Sequence, residues 1–439
     1  MSKQPFPVES YLKALSIEAL NPMQTESLKQ NRIHNDCVLL SGTGSGKTLA
    51  FLLPVLENLS ETETGVQALI LAPSRELCLQ IEDVFRRMRS EYKVNSSYGG
   101  HSVRVEKNNF TQPPAVLIGT PGRIADHIGR GHFDPSTITM LVLDEFDKSL
   151  ELGFHREMAT ISEQLHGVKK RILSSATDLD TVPEFVGMTD PVKINFLDGK
   201  PRGLTLKTIH AGAAEKMEML YRLLGNLEAA PTIVFCNHRE TVERLSTFLA
   251  DHGVENSFFH GGMEQDDRER TLAKFRNGSV NILITTDLAA RGLDIPEIRF
   301  VIHYQLPPKE DAFIHRNGRT ARVDASGTAF LVMGSDDDQP DYLSGDEEVL
   351  VLSENHPAPS KPGWVTLYIG AGKKDKVNKI DIVGFLSKTG GLERDELGLI
   401  EVKDFFSYAA VKRSLVKEVM SKIKEQKIKG KKVKIQQAR

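Results

Sequence analysis

The chain of 439 residues has few cysteines, Cys37, Cys78 and Cys236. Three thiols so far apart cannot make a disulfide framework or a four-cysteine zinc site, so they read as buried thiols of a reducing compartment. Long apolar runs are also missing. The best candidate, Ala50–Leu56, is interrupted by Pro54 and falls far short of the roughly 18 residues that a membrane span needs. The opening Met1-Ser2-Lys3-Gln4-Pro5 lacks the apolar core of a secretion signal. These absences lead to the expectation of a cytoplasmic protein with no membrane partner. Nor does one sign of charge dominate: 56 Lys/Arg face 59 Asp/Glu, for a net charge of −3. With 40% apolar and 26% charged residues, the composition excludes a disordered chain or a fibrous repeat.

The near-neutral average conceals a split. Residues 361–439 carry 19 Lys/Arg and 9 Asp/Glu, whereas the remainder carries 37 against 50. A basic end suits a polyanion, although a solvated lysine-rich helix face gives the same count.

Short apolar runs at 36–40, 67–71, 115–118, 140–143 and 171–174 alternate with longer amphipathic stretches. Buried strands alternating with helices imply a parallel sheet covered on both faces. The rhythm restarts after the turn-rich 198–203, with runs at 232–235, 282–285, 300–303 and 329–332. A second break follows, because residues 334–354 hold eight acidic and no basic side chains and lead into a proline-rich stretch. The last 76 residues read as βαββαβ: strand 366–370, helix 377–388, two strands within 397–411, helix 415–425 and strand 433–436.

Ser41-Gly42-Thr43-Gly44-Ser45-Gly46-Lys47-Thr48 lies between an apolar strand and a helix. Its glycines let successive N–H groups curl around phosphate oxygens. In that setting Lys47 is expected to neutralise the terminal phosphates of a nucleotide and Thr48 to hold Mg²⁺. Asp144-Glu145 follows the strand 140–143, at the carboxyl edge where a parallel sheet places its ligands. Asp144 is expected to bind Mg²⁺ through water, and Glu145 to orient and deprotonate the attacking water. A solvated acidic turn is the bland alternative.

Taken together, the motifs resemble those of the DEAD-box ATP-dependent RNA helicases of superfamily two, over roughly residues 1–335. Ser41–Thr48 resembles motif I, Ala72–Leu77 motif Ia, Gly99-Gly100 the glycine doublet and Thr120–Arg123 motif Ib. Asp144-Glu145-Phe146-Asp147 stands at the tetrapeptide that names the family, and Ser175-Ala176-Thr177 resembles motif III. Further on, Val234–Asn237 resembles motif IV, Thr285–Asp294 motif V and His315–Arg322 motif VI. Phe146 replaces the family's usual alanine, and Ala321 a usual glycine.

The resemblance implies an α/β chain with two tandem RecA-like domains, 1–198 and 205–345, joined by a linker at 199–204. A linker at 346–363 then leads to a small α+β domain at 364–439. It implies ATP and Mg²⁺ as cofactors. Gln24 becomes the adenine reader, Asp294 the ribose ligand, and Arg319 and Arg322 the arginine fingers on the γ-phosphate. Ser175, Thr177 and Asp147 fall at the coupling positions. Arg75, Gly99, Gly100, Thr120, Arg123 and Thr286 line an RNA path that grips sugar–phosphate rather than base edges.

Residues 364–439 resemble the RNA-recognition-motif-like tail of bacterial DbpA-type helicases, through the βαββαβ order, Leu367–Gly370, Lys373-Lys374 and the lysine run at 427–434. That resemblance implies a ribosomal RNA partner and a role in large-subunit assembly, with Lys373 and Lys374 on RNA, in a protein expected to be a monomer. Tyr368, Phe405, Phe406 and Tyr408 are available for base stacking, or else belong to the core. A helicase acting on messenger or general duplexes, and an ATP-gated clamp that closes without turnover, are the competing readings.

Overall fold

The computed structural model describes residues 6–42, 44–100, 103–178, 181–197, 204–211, 216–287, 298–320, 327–345, 347–353 and 356–438, and for residues 103–105 the backbone alone. In the first unit, seven strands form one sheet: β1 (Asp36–Ser41), β2 (Ala68–Leu71), β3 (Val94–Ser97), β4 (Val116–Gly119), β5 (Met140–Leu143), β6 (Lys170–Ser175) and β7 (Val192–Phe196). Their order is β3-β4-β2-β5-β6-β1-β7 and every pairing is parallel. Alternate residues of β2 feed two cores. Ala68 and Ile70 pack with Phe51, Leu52 and Val55 of the helix Lys47–Asn58, whereas Leu69 and Leu71 pack with Leu143, Phe146 and Ile161. Both faces being apolar, the strand shows no polar alternation. Strands β3 and β7 lie at the sheet edges, with two of the four residues of β3 and four of the five of β7 reaching solvent, which explains why neither reads as an apolar run.

The second sheet comprises β8 (Leu204–Ala211), β9 (Thr232–Cys236), β10 (Ser257–Phe259), β11 (Ile282–Thr286), β12 (Phe300–His303), β13 (Gly327–Gly334) and β14 (Glu348–Val349), in the order β10-β11-β9-β12-β13-β8-β14. All these pairs are parallel as well. Part of the acidic stretch with linker composition is therefore strand. Leu350 and Leu352 beyond it pack on the core, and the backbone at Pro357 runs so close to Gly225 that a Cβ there would collide with its carbonyl.

In the same unit, β15 (Trp364–Ile369), β16 (Leu397–Val402), β17 (Ser407–Lys412) and β20 (Ile435–Gln437) form an antiparallel sheet ordered β16-β17-β15-β20. The lysine run is a hairpin rather than a plain approach to the last strand: β18 (Lys427–Ile428) pairs with β19 (Lys431–Lys432) across Lys429-Gly430, both with positive φ, 49° and 79°. Two positive φ angles are what a tight two-residue hairpin turn requires.

Leu367, Ile369, Ala409 and Val411 face the helices Lys379–Lys388 and Val416–Ile423. The intervening Thr366, Tyr368, Tyr408 and Ala410 therefore share the opposite face. That face is docked. Asn277 Nδ2 donates to Thr366 Oγ1 at 2.9 Å, and Thr366 Oγ1 lies 2.8 Å from Ser279 Oγ. Beside this contact, Arg276 Nη1 meets Glu401 Oε1 at 3.0 Å, and Arg413 forks onto Glu255 at 2.8 and 2.5 Å.

Candidate ATP site and nucleic-acid surface

The order of the first sheet sorts the expected site residues along one edge. Strands β5, β6 and β1 are neighbours and end at Asp144, Ser175 and the phosphate loop; β3, β4 and β2 are neighbours and lead to Gly99-Gly100, Thr120 and Arg75. Ligands of open α/β sheets bind at this carboxyl edge.

In the loop, Gly44 and Gly46 take φ of 79° and 89°, and a Cβ on Gly46 would sit 2.5 Å from Gln24 Nε2. Asn21 and Gln24 close a reciprocal cap on the helix Pro22–Ile33, Gln24 N to Asn21 Oδ1 at 2.8 Å and Asn21 N to Gln24 Oε1 at 3.0 Å. From there Gln24 Nε2 donates to Gly46 O at 3.2 Å and Asn21 Nδ2 to Ser45 O at 2.9 Å. One amide hydrogen and one lone pair of Gln24 are thereby spent on protein, leaving one of each for a base edge. Ser45 Oγ donates to Gly42 O at 2.8 Å, and Lys47 Nζ reaches the carbonyls of Ser41 and Gly42. Thr48 follows on the first turn of the helix, half-buried. Thr43 lies outside the described residues.

Asp144 is buried. Burial first and the neighbouring Glu145 second push its carboxyl up to about 6, against the opposing Ser174 hydroxyl and the Lys47 charge. Glu145 stands at φ 46°, ψ 52°, the left-handed region, just before the helix Phe146–Glu151. Thr177 Oγ1 donates to Asp147 Oδ2 at 3.2 Å, while Ser175 Oγ donates to Thr177 O at 2.6 Å. The three expected coupling residues are thus one bonded chain. Phe146 is fully buried and its ring centre is 6.3 Å from that of Phe185, so the extra bulk fills core rather than the site.

On the other half of the edge, Arg75 starts the helix Arg75–Arg87 with its guanidinium 4.7 Å from the Tyr98 ring centre, and a Cβ on Gly100 would be 3.5 Å from its Nη1. Thr120 precedes the helix Pro121–Gly129, which carries Arg123. Arg123 Nη1 lies 3.4 Å from Glu106 Oε2, the same oxygen that His127 Nε2 meets at 2.7 Å. Glu106, His127 and Tyr98 carry no sequence signal, because nothing in a single chain marks which acid lies behind which arginine.

In the second unit, Thr286 closes β11, next to Thr285, whose Oγ1 donates to Phe259 O at 2.7 Å. Arg319 follows the helix Glu310–Asn317 and is buried. Arg322 and Asp294 lie outside the described residues. The residue that joins the motifs here is Arg316, within the stretch resembling motif VI: it bonds Asp287, Asn237 Oδ1 and Gln305 O, with its guanidinium 5.1 Å from the Phe235 ring centre.

Residues 21–184 match the DEAD/DEAH box helicase family, 215–324 the helicase conserved C-terminal domain and 366–437 the DbpA RNA binding domain. The chain is 31% identical to the ATP-dependent RNA helicase DbpA of Bacillus subtilis over 96% of both proteins. It is 30% identical to the Escherichia coli DbpA over 96% of this chain and 94% of that protein. This chain is a DEAD-box ATP-dependent RNA helicase. The S. cerevisiae Dbp5 structure bound to RNA and ADP BeF3 superposes with a TM-score of 0.69 at 27% identity, covering 77% of this chain and 88% of that one. The family's activity is RNA-dependent ATP hydrolysis, and this DEAD-box chain binds nucleotide and RNA.

The helicase's third sheet decides between the two readings of Tyr408. Tyr408 is buried, which above all raises its pKa, and apart from Tyr368 of its own sheet the groups that act on its phenol, Arg270, Glu269 and Asp266, belong to the helix Gln265–Arg276 of the preceding parallel-sheet part. The sheet face on which standard RNA-recognition motifs stack bases is here committed to that contact. Tyr368, Phe406 and Tyr408 pack mutually, with ring centres 5.3–6.1 Å apart. Phe405 is exposed. Lys373 and Lys374 are exposed too, on the turn Lys373–Asp375, and Lys429 of the nearby hairpin donates to Lys376 O at 2.6 Å. Among the described residues no cluster of His, Cys, Asp and Glu could hold a metal, and no helix is long and apolar enough to cross a membrane.

Proposed function

We propose that this helicase couples ATP hydrolysis to local unwinding of ribosomal RNA during large-subunit assembly, acting as a cytoplasmic monomer. The observation that carries the reading is the basic hairpin and turn of a DbpA-type domain mounted, by its sheet face, on the second helicase unit. The proposed limits are 1–198 and 205–345 for the helicase domains and 364–439 for the RNA-binding domain.

The residues at the carboxyl edge divide the work. Backbone N–H groups of Ser41–Thr48 and the Lys47 ammonium take the phosphates, Gln24 reads adenine with its unspent donor and acceptor, and Asp294 takes the ribose. A buried Asp144 whose charge is opposed by Glu145 favours a nearby cation, and a hydroxyl with a carboxylate is a hard-oxygen donor set, so Thr48 and Asp144 suit Mg²⁺. That ion supplies charge neutralisation on the phosphates. Glu145 orients the attacking water and takes its proton, and Arg319 and Arg322 stabilise charge on the γ-phosphate. Thr177 and Asp147 carry the state of the site to Arg75, Gly99, Gly100, Thr120, Arg123 and Thr286, which hold the RNA backbone.

The test is phosphate release by the full chain with a large-subunit ribosomal RNA hairpin or with an unrelated hairpin, for the wild type and for Lys373→Glu/Lys374→Glu. Preferential stimulation by the ribosomal hairpin, lost in the double variant, supports the proposal. Equal stimulation by both RNAs points to a general RNA helicase.

A further inference from the structure

Ser174 is the penultimate residue of β6, one position before the stretch that resembles motif III, and is wholly shielded from solvent. Strand β6 runs between β5 and β1, with Leu173 opposite Leu143 and Ser174 opposite Leu39. This register brings the Ser174 hydroxyl under the Asp144-Glu145 turn. Its Oγ donates to Asp144 Oδ1 and accepts the Glu145 N–H at 3.3 Å.

A hydroxyl has one hydrogen to give and lone pairs to receive, and Ser174 uses both functions on two adjacent residues. The bond to Asp144 fixes the rotamer of a buried carboxylate. The bond from the Glu145 N–H holds a residue that itself sits at φ 46°, a backbone conformation that a non-glycine residue keeps only when its surroundings hold it there. Were the hydroxyl removed, the Glu145 N–H would lose its partner, and the direction of the Glu145 side chain would no longer be set from below.

We infer that Ser174 is a positioning residue for hydrolysis: one hydroxyl locks Asp144 and Glu145 in the arrangement that water attack requires. This rests on the proposed role of Glu145. A lock of this kind acts on orientation of the reacting groups, not on the phosphate loop that supplies most nucleotide affinity. Turnover and binding should therefore separate.

The experiment compares Ser174→Ala, Ser174→Thr and Glu145→Gln in the full chain, measuring RNA-stimulated kcat and KM for ATP, affinity for a fluorescent ADP analogue with Mg²⁺, and the urea unfolding midpoint. Ser174→Ala is expected to lower kcat about 10- to 100-fold, the worth of a hydrogen bond to a charged group, with KM and ADP affinity changed less than about twofold. Ser174→Thr, which keeps the hydroxyl, is expected to recover most of that loss. A wild-type kcat in Ser174→Ala, or a fall in affinity as large as the fall in kcat, overturns the inference. So does a folded Ser174→Thr as slow as Ser174→Ala; should the threonine unfold the buried site, the split between kcat and KM in the alanine variant decides alone. An inert Glu145→Gln beside an unimpaired Ser174→Ala rejects only the lock, whereas an active Glu145→Gln rejects the reading beneath it.

Discussion

Arg316 holds Asp287 through two hydrogen bonds, Nε to Oδ1 at 2.5 Å and Nη2 to Oδ2 at 2.7 Å. The arginine is only 1% exposed while Asp287 keeps 26% of its side-chain surface, and two further donors of the guanidinium go to Asn237 and Gln305. Arg316→Ala leaves Asp287 without its cation and opens a cavity. We expect a loss of roughly 2–4 kcal/mol, chiefly from the cavity, in urea unfolding of the second unit. Arg316→Lys should recover little, because an ammonium cannot reproduce the planar fork.

His303 gives the same unit a pH dependence. Burial, helped by the Arg316 charge and resisted by the Asn317 hydrogen bond, pushes its pKa down to about 3. A folded value below the unfolded one means that stability is whole above the unfolded pKa of 6.5 and drains as pH falls toward 3. The slope from this residue is about 1.4 kcal/mol per pH unit. Unfolding by urea at pH 7.5 and at pH 5.0 should show a loss of about 2 kcal/mol that is smaller in His303→Gln.

The docked seam can be read optically, since the single tryptophan, Trp364, opens β15 and lies against Gly278. Arg413 bonds the carbonyls of Pro362 and Trp364 as well as Glu255. Arg413→Ala should cost about 0.5–1 kcal/mol, as its pair is partly exposed. Combined with Asn277→Ala it should shift the Trp364 emission to longer wavelength and speed proteolysis within 356–363. Unchanged emission in the double variant would count against a docked face.

Arg123 tests the RNA surface. If it meets phosphate, Arg123→Ala should weaken binding by a similar factor for RNAs of unrelated sequence and reduce the slope of log K against log salt by about 1. A sequence-dependent loss would mean base contact instead.

Much of the site was legible in the sequence because it is local. Gly-Lys-Thr after an apolar strand, and two acids after another, announce themselves by spacing, and the sheet order then brings them together. What depends on distant pairing leaves no such mark. Ser174 looks like any serine beside Ser175 until β6 is set next to β5. Edge strands β3 and β7 carry polar residues, β14 is hidden in an acidic stretch, and the β18–β19 turn is masked by lysines. Tyr408 is eligible for base stacking by pattern alone; only the packing of its sheet on the helix Gln265–Arg276 removes it.

The adjacency of β2 and β5 carries one more implication. Asp144 N donates to Leu71 O at 2.9 Å, and Leu71 is four residues from Arg75. If Asp144 and Glu145 act on nucleotide and Arg75 on RNA, as proposed above, the two tasks are joined by one backbone rung between neighbouring strands, next to the bend that presents the arginine.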